Sequence, residues 1–306
     1  MLTAKSLRGV WALVTTPWNS KNDFDEEVFR HDVACQCRSG VHGLYTTGSS
    51  GEFFALDFEE FRRLVDVFLD EVKKTRTPHQ IGCGAADTRG TLRRVECAVE
   101  RGAQALQIVF PYYIELTRRE AFAFLKDVAR AAGAVPLVHY NSPYAKPILE
   151  ADDYRALVQE VPTIIGTKLP SRGPLWFAAI CERVPELSHF TGEYAFVADF
   201  AAGARGIYSW LAVTNPRLAV AWHDACAKGD YSRAMEIQVL VNRYKIHVKS
   251  AWRGQSDAAV NKADAALNPS IRTPLRVRSP YVSCTRKDLE RARRWARKNF
   301  PELLEL

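Results

Sequence analysis

From residue 9 to about residue 229 the chain repeats one pattern eight times: a short apolar run, then a longer stretch with apolar residues at helical spacing. "GVWALVTT" (9–16) precedes "DEEVFRHDVACQCRS" (25–39). "VHGLYTT" (41–47) precedes "DFEEFRRLVDVFLDEVKK" (57–74), where Asp57 suits an N-cap. "HQIGCGA", "AQALQIVFP", "VPLVHY", "TIIGTKL", "LSHFTG" and "ARGIYSW" continue the beat, each followed by its own helical stretch. Strands alternating with helices run parallel, because a parallel neighbour needs a crossover long enough to hold a helix. Eight short, continuously apolar strands predict an α/β fold closed into a (β/α)8 TIM barrel. Residues 1–225 are assigned to the barrel. Residues 226–306, including "DYSRAMEIQVLVNRYKIHVKSAW" and the basic "RKDLERARRWARK", form a C-terminal helical region packed on it.

Composition narrows the class. With 306 residues, 47% of them hydrophobic, the chain can bury a large core. No apolar stretch approaches the roughly 20 residues that span a bilayer, and Trp11, Pro17 and Trp18 interrupt any signal-peptide core. The expectation is a cytoplasmic protein without a membrane partner. Seven scattered cysteines with no C-x-x-C pair fit reduced thiols. The histidines show no ligand spacing, so no metal is expected. Much of the net charge of +7 lies in "RTPLRVRS" (272–279) and in residues 286–298, where arginines alternate with Asp288 and Glu290 as on a solvated helix face. Nucleic acid is therefore not the expected partner, whereas a small anionic substrate agrees with the charge.

Lysine is among the least often buried residues, yet Lys168 closes the β-branched run "TIIGTK". In a barrel of this type the active site lies at the C-terminal ends of the strands, which is where Lys168 falls. Other strand ends carry Gly48-Ser49-Ser50-Gly51, "FPYY" (110–113) and "HYNSP" (139–143). Small residues before a helix expose backbone N–H groups, and Ser49 and Ser50 add donors, which makes an anion cradle. A desolvated lysine can attack a ketone to form a Schiff base. Tyr140 has a hydroxyl able to move protons beside it.

These residues resemble the motifs of the dihydrodipicolinate synthase/N-acetylneuraminate lyase superfamily. Gly48-Ser49-Ser50-Gly51-Glu52 is similar to its G-[ST]-[ST]-G-E, Tyr140-Asn141-Ser142-Pro143 to its Y-N-x-P, and Ile165-Gly166-Thr167-Lys168 to its Schiff-base strand. "VTTPW" (14–18) and "GARGIYS" (203–209) resemble its first and eighth strands. The resemblance implies that Lys168 forms the imine and that Tyr140 is the acid and base. It implies that Gly48, Ser49 and Ser50 hold the keto-acid carboxylate, with Ser50 also relaying protons to Tyr140. Tyr113 completes the relay from a neighbouring subunit of a homodimer or homotetramer, and Glu52 braces the loop. No cofactor is needed, because the imine itself is the electron sink.

Two departures bear on the second substrate. Where synthases of the family carry an arginine two residues after the proline of Y-N-x-P, this chain has Ala145, followed by Lys146, which is expected to point elsewhere. Tyr208 and Trp210 stand where smaller aliphatic residues are usual, and Arg172 follows the catalytic strand, positioned to meet an acidic group on a longer substrate. The expected activity is aldol cleavage or dehydration of a pyruvate-containing 2-keto acid, most simply a 2-keto-3-deoxy sugar acid. The alternatives are dihydrodipicolinate synthesis from pyruvate and aspartate semialdehyde, or a catalytically silent keto-acid-binding member.

Overall fold

A computed structural model describes residues 1–251 and 254–305, the last three before the break by backbone alone. The strands β1 (Gly9–Leu13), β2 (Gly43–Thr46), β3 (His79–Gly82), β4 (Leu106–Ile108), β5 (Leu137–Tyr140), β6 (Ile164–Lys168), β7 (Ser188–Thr191) and β8 (Gly206–Ser209) close in chain order into a parallel barrel. Closure comes from β1 pairing with β8. The outer helices are α1 (Glu26–Cys37), α2 (Phe58–Thr75), α3 (Thr88–Glu100), α4 (Arg118–Ala132), α5 (Ala151–Glu160), α6 (Pro174–Arg183), α7 (Phe196–Ala201), the single turn α8 (Leu211–Thr214) and α9 (Pro216–Ala227). The tail adds α10 (Tyr231–Ala251), α11 (Asp257–Ala265) and α12 (Arg286–Asn299). The protein is a (β/α)8 TIM barrel with a C-terminal helical part.

The local chemistry explains the helix starts. Asp57 accepts from the backbone N–H of Glu60, whose side chain returns the bond to Asp57, a full capping box for α2. The same reciprocal pair forms between Thr117 and Glu120 at α4. On α12, Ala292 and Ala296 are buried while Arg286, Arg291, Arg294 and Arg297 stay exposed.

Large aromatic side chains fill the barrel. Trp11, Tyr45, Phe190 and Tyr208 pack with ring centroids between 4.8 and 6.4 Å apart. Glycine opposite them provides the room: a Cβ on Gly43 would sit 2.7 Å from the Trp11 ring, and one on Gly206 2.5 Å from Phe190. Such close approaches are what restrict these strand positions to glycine.

Three boundaries differ from the sequence reading. The strand expected over 9–16 ends at Leu13, and beyond it Thr16 donates its hydroxyl to Gly51 O at 2.6 Å. The seventh helical stretch is split into a 3-10 turn over Glu193–Ala195 and the short α7. The eighth barrel helix α9 runs to Ala227, two residues past the assigned boundary. Trp252, the end of the tail stretch read as one helix, lies outside the described residues.

Candidate active site

Lys168 and Tyr140 end neighbouring strands in register with one another. Both open onto a cavity of about 870 Å³ at the C-terminal rim. Lys168 Nζ lies 4.2 Å from the centre of the Tyr140 ring, 4.9 Å from Tyr45 and 5.2 Å from Tyr208. Among the described residues it has no ion-pair partner. Burial is the largest influence on this ammonium and lowers its pKa to about 8, although Glu193 and Asp257 pull it partly back. A usable fraction of free amine therefore exists near neutral pH. Burial acts on the Tyr140 phenol in the opposite sense and raises its pKa, against a smaller opposing pull from Ser142 and Ser49, so it stays protonated.

The turn beside them is held under strain. Thr47 and Glu52, which bracket Gly48–Gly51, both sit in the left-handed region at φ 53°. Such residues cost on the order of 1–3 kcal/mol each and persist only where the surroundings fix them. Here the surroundings do so. Thr47 donates to Gly82 O at 2.7 Å, and Thr16 reaches Gly51 O. The fully buried Glu52 bonds Lys262 and accepts from the Arg278 backbone N–H at 2.9 Å. Lys262 is also lowered by burial, to about 8. Its Nζ is engaged by Glu52 and by Arg276 O at 2.6 Å, and it does not face the cavity. Among the described residues Lys168 is thus the cavity-lining buried amine without a carboxylate partner.

The two serines of the turn have different partners. Ser49 favours the ionised form of the Tyr140 phenol, whereas the Ser50 hydroxyl accepts from Asn261 Nδ2 at 2.6 Å. α11 thus engages the Ser50 hydroxyl, the one expected to relay protons to Tyr140. Tyr208 turns its hydroxyl down into the barrel, donating to Gln80 Oε1 at 2.8 Å, so only its ring faces the lysine. Arg172 lines the cavity wall with its charge already matched by Glu150, 2.7 Å away. Lys146, expected to point elsewhere, lines the same cavity. Tyr113 is 88% exposed in the single chain and does not line it. Ala145 is buried on the wall of a second, apolar cavity of about 300 Å³.

Four polar cavity residues that were not anticipated from the sequence stand out: Glu193, Lys245, Asp257 and Asn261. Glu193 follows β7 and accepts from the Trp210 backbone N–H at 2.6 Å; burial raises its pKa, against the pull of Lys245. The strand-end rule could have found it. Lys245, paired with Asp264 at 2.5 Å, and Asp257 and Asn261 on α11 come from the tail, and nothing local marks them. Among the described residues no group of three or more His, Cys, Asp or Glu is placed to hold a metal ion, and no helix is long and apolar enough to cross a membrane.

A desolvated amine, a protonated phenol and a hydroxyl-bearing turn on one barrel rim are the equipment of a class I lyase, an enzyme that works through a lysine imine. The chain belongs to the dihydrodipicolinate synthetase family, whose model matches residues 6–295. It is 32% identical over 238 residues to a 4-hydroxy-tetrahydrodipicolinate synthase of Brucella abortus, covering 76% of this chain and 80% of that one. A synthase of the same name from Methylobacterium radiotolerans is 31% identical over 246 residues, with 78% and 79% covered. Among solved structures, a sialic acid aldolase of Ruminococcus gnavus, a catalytic lysine mutant, superposes with a TM-score of 0.89 at 19% identity, covering 99% and 100% of the two chains. YagE of E. coli K12, in complex with pyruvate, gives 0.87 at 20% identity, covering 95% and 98%.

Proposed function

We propose that this protein cleaves or dehydrates a 2-keto-3-deoxy sugar acid through an imine on Lys168. The observation that carries the reading is the cavity itself. Its floor holds one lowered-pKa amine beside a phenol, and its volume lies toward the upper end for a small-molecule site. In cleavage, the Lys168 amine adds to the C2 ketone. Tyr140 protonates the carbinolamine oxygen, and water leaves to give the imine. The resulting tyrosinate removes the C4 hydroxyl proton as the C3–C4 bond breaks, releasing an aldehyde while the electron pair is taken up into the enamine. Protonation at C3 and hydrolysis return pyruvate and the free amine. The substrate carboxylate rests on the Gly48–Ser50 turn. The polar cavity walls, with Glu193, Asp257 and the Arg172–Glu150 pair, suit a hydroxylated chain better than a short aldehyde.

Condensation with aspartate semialdehyde is the second reading, favoured by the names of the relatives at 28–32% identity. Ala145 weighs against it, since it cannot make the bidentate contact that a carboxylate favours. A lost charge-assisted hydrogen bond costs about 1.5–3 kcal/mol, or roughly 10- to 150-fold in rate. The deciding experiment is a coupled assay of pyruvate plus aspartate semialdehyde, run beside a panel of 2-keto-3-deoxy sugar acids. Turnover of a sugar acid with weak synthase activity is expected, and strong synthase turnover overturns the reading. Arg172→Ala, by freeing Glu150, should weaken the best sugar acid; unchanged kinetics remove Arg172 from the site.

The exposed Tyr113 finds its role in an assembly. Tyr112, Tyr113, Ile114, Tyr144, Tyr281 and Val282 are all exposed in the single chain, and large apolar exposure of this kind marks interaction surfaces. A second copy covering this face would bring its Tyr113 toward the site. Light scattering should show a dimer or tetramer; a monomer at working concentration contradicts the assignment.

A further inference from the structure

We infer that Asn261, on α11 of the C-terminal region, is a positioning residue for substrate carboxylate recognition, acting through Ser50. The inference rests on the proposed imine chemistry and goes beyond it, because it gives the tail a part in ligand selection.

A serine hydroxyl has one proton to donate and lone pairs to accept with. Asn261 Nδ2 donates to Ser50 Oγ at 2.6 Å, and both residues line the cavity. With an amide N–H occupying a lone pair, the Ser50 proton is left to point elsewhere, and an anion in the cavity is the partner that gains most from it. The reverse arrangement, with Ser50 donating to the asparagine oxygen, would present a lone pair to the anion and repel it. Polarisation along the Asn–Ser–carboxylate chain strengthens the second bond further. Asn261 is itself fixed. The next residue, Lys262, is fully buried and bonded to Glu52, so α11 grips the turn at two points. Ser49, by contrast, acts on the Tyr140 phenol. The two adjacent hydroxyls therefore divide the work: one belongs to proton transfer, the other to anion recognition.

The test uses the full-length protein and borohydride capture of the imine, read by mass, with pyruvate and with its uncharged methyl ester. Asn261→Ala is expected to raise the half-saturating pyruvate concentration on the order of tenfold, to leave that for methyl pyruvate unchanged, and to leave the pH midpoint of capture in place. Ser50→Ala should behave alike, and the double variant should be no worse than Ser50→Ala alone. Capture of methyl pyruvate serves as the control for folding. Equal weakening of both ligands, no change with pyruvate, or additive effects in the double variant would overturn the role of Asn261. If the unaltered protein is not labelled at Lys168 by any 2-keto acid, it is the imine reading that fails, and the inference falls with it.

Discussion

The Lys168→Ala protein is expected to take up no label from pyruvate and borohydride, and to lose turnover on the order of 10⁶-fold, the scale on which loss of a nucleophile is felt. Among the described residues no other buried amine is free to replace it. Lys245 is tied to Asp264 and Lys262 to Glu52, so their amines are committed to carboxylates. In the unaltered protein the capture rate should climb about tenfold per pH unit at acid pH and level off above about 8. The attacking species is the neutral amine, whose fraction grows until the lowered pKa of Lys168 is passed. Label on another lysine in the variant, or a rate that falls with rising pH over that range, would refute the assignment.

Tyr140→Phe should separate binding from chemistry. The ring that covers Lys168 is kept, so capture of pyruvate at long incubation should still reach one label per chain. Turnover should fall on the order of 10²–10⁴-fold, the usual contribution of a positioned acid or base. The raised phenol pKa has a further consequence: the acid form persists across neutral pH, so the profile of the unaltered protein should show no descending limb near 8 from this group. A Tyr140→Phe protein turning over at the original rate would pass the proton-transfer role to another group.

The fold was legible because each barrel unit declares itself locally, through a short apolar run and a capped amphipathic helix such as α2 behind Asp57. Lys168 and Tyr140 were legible for the same reason: each stands at the end of a strand whose direction the alternation had established. What stayed hidden depends on contacts between distant parts of the chain. Ser50 and Asn261 are 211 residues apart, and no pattern within either segment announces the other. Tyr208 shows a different limit. Its position at a strand end was readable, but whether its hydroxyl faces a substrate or Gln80 depends on how the barrel interior fills.

The grip of α11 on the strained turn also sets an order of events in synthesis. The turn at residues 47–52 emerges from the ribosome early, yet the groups that hold Ser50 and Glu52 are at 261, 262 and 278. A nascent chain with all eight strands already released would still lack the contacts that hold this turn. For the same reason, giving this barrel a relative's tail would not simply trade one packing surface for another: the barrel would have to accept a foreign set of fingers on its strained turn. The proposed role of Asn261 predicts covariation between positions 50 and 261 among relatives.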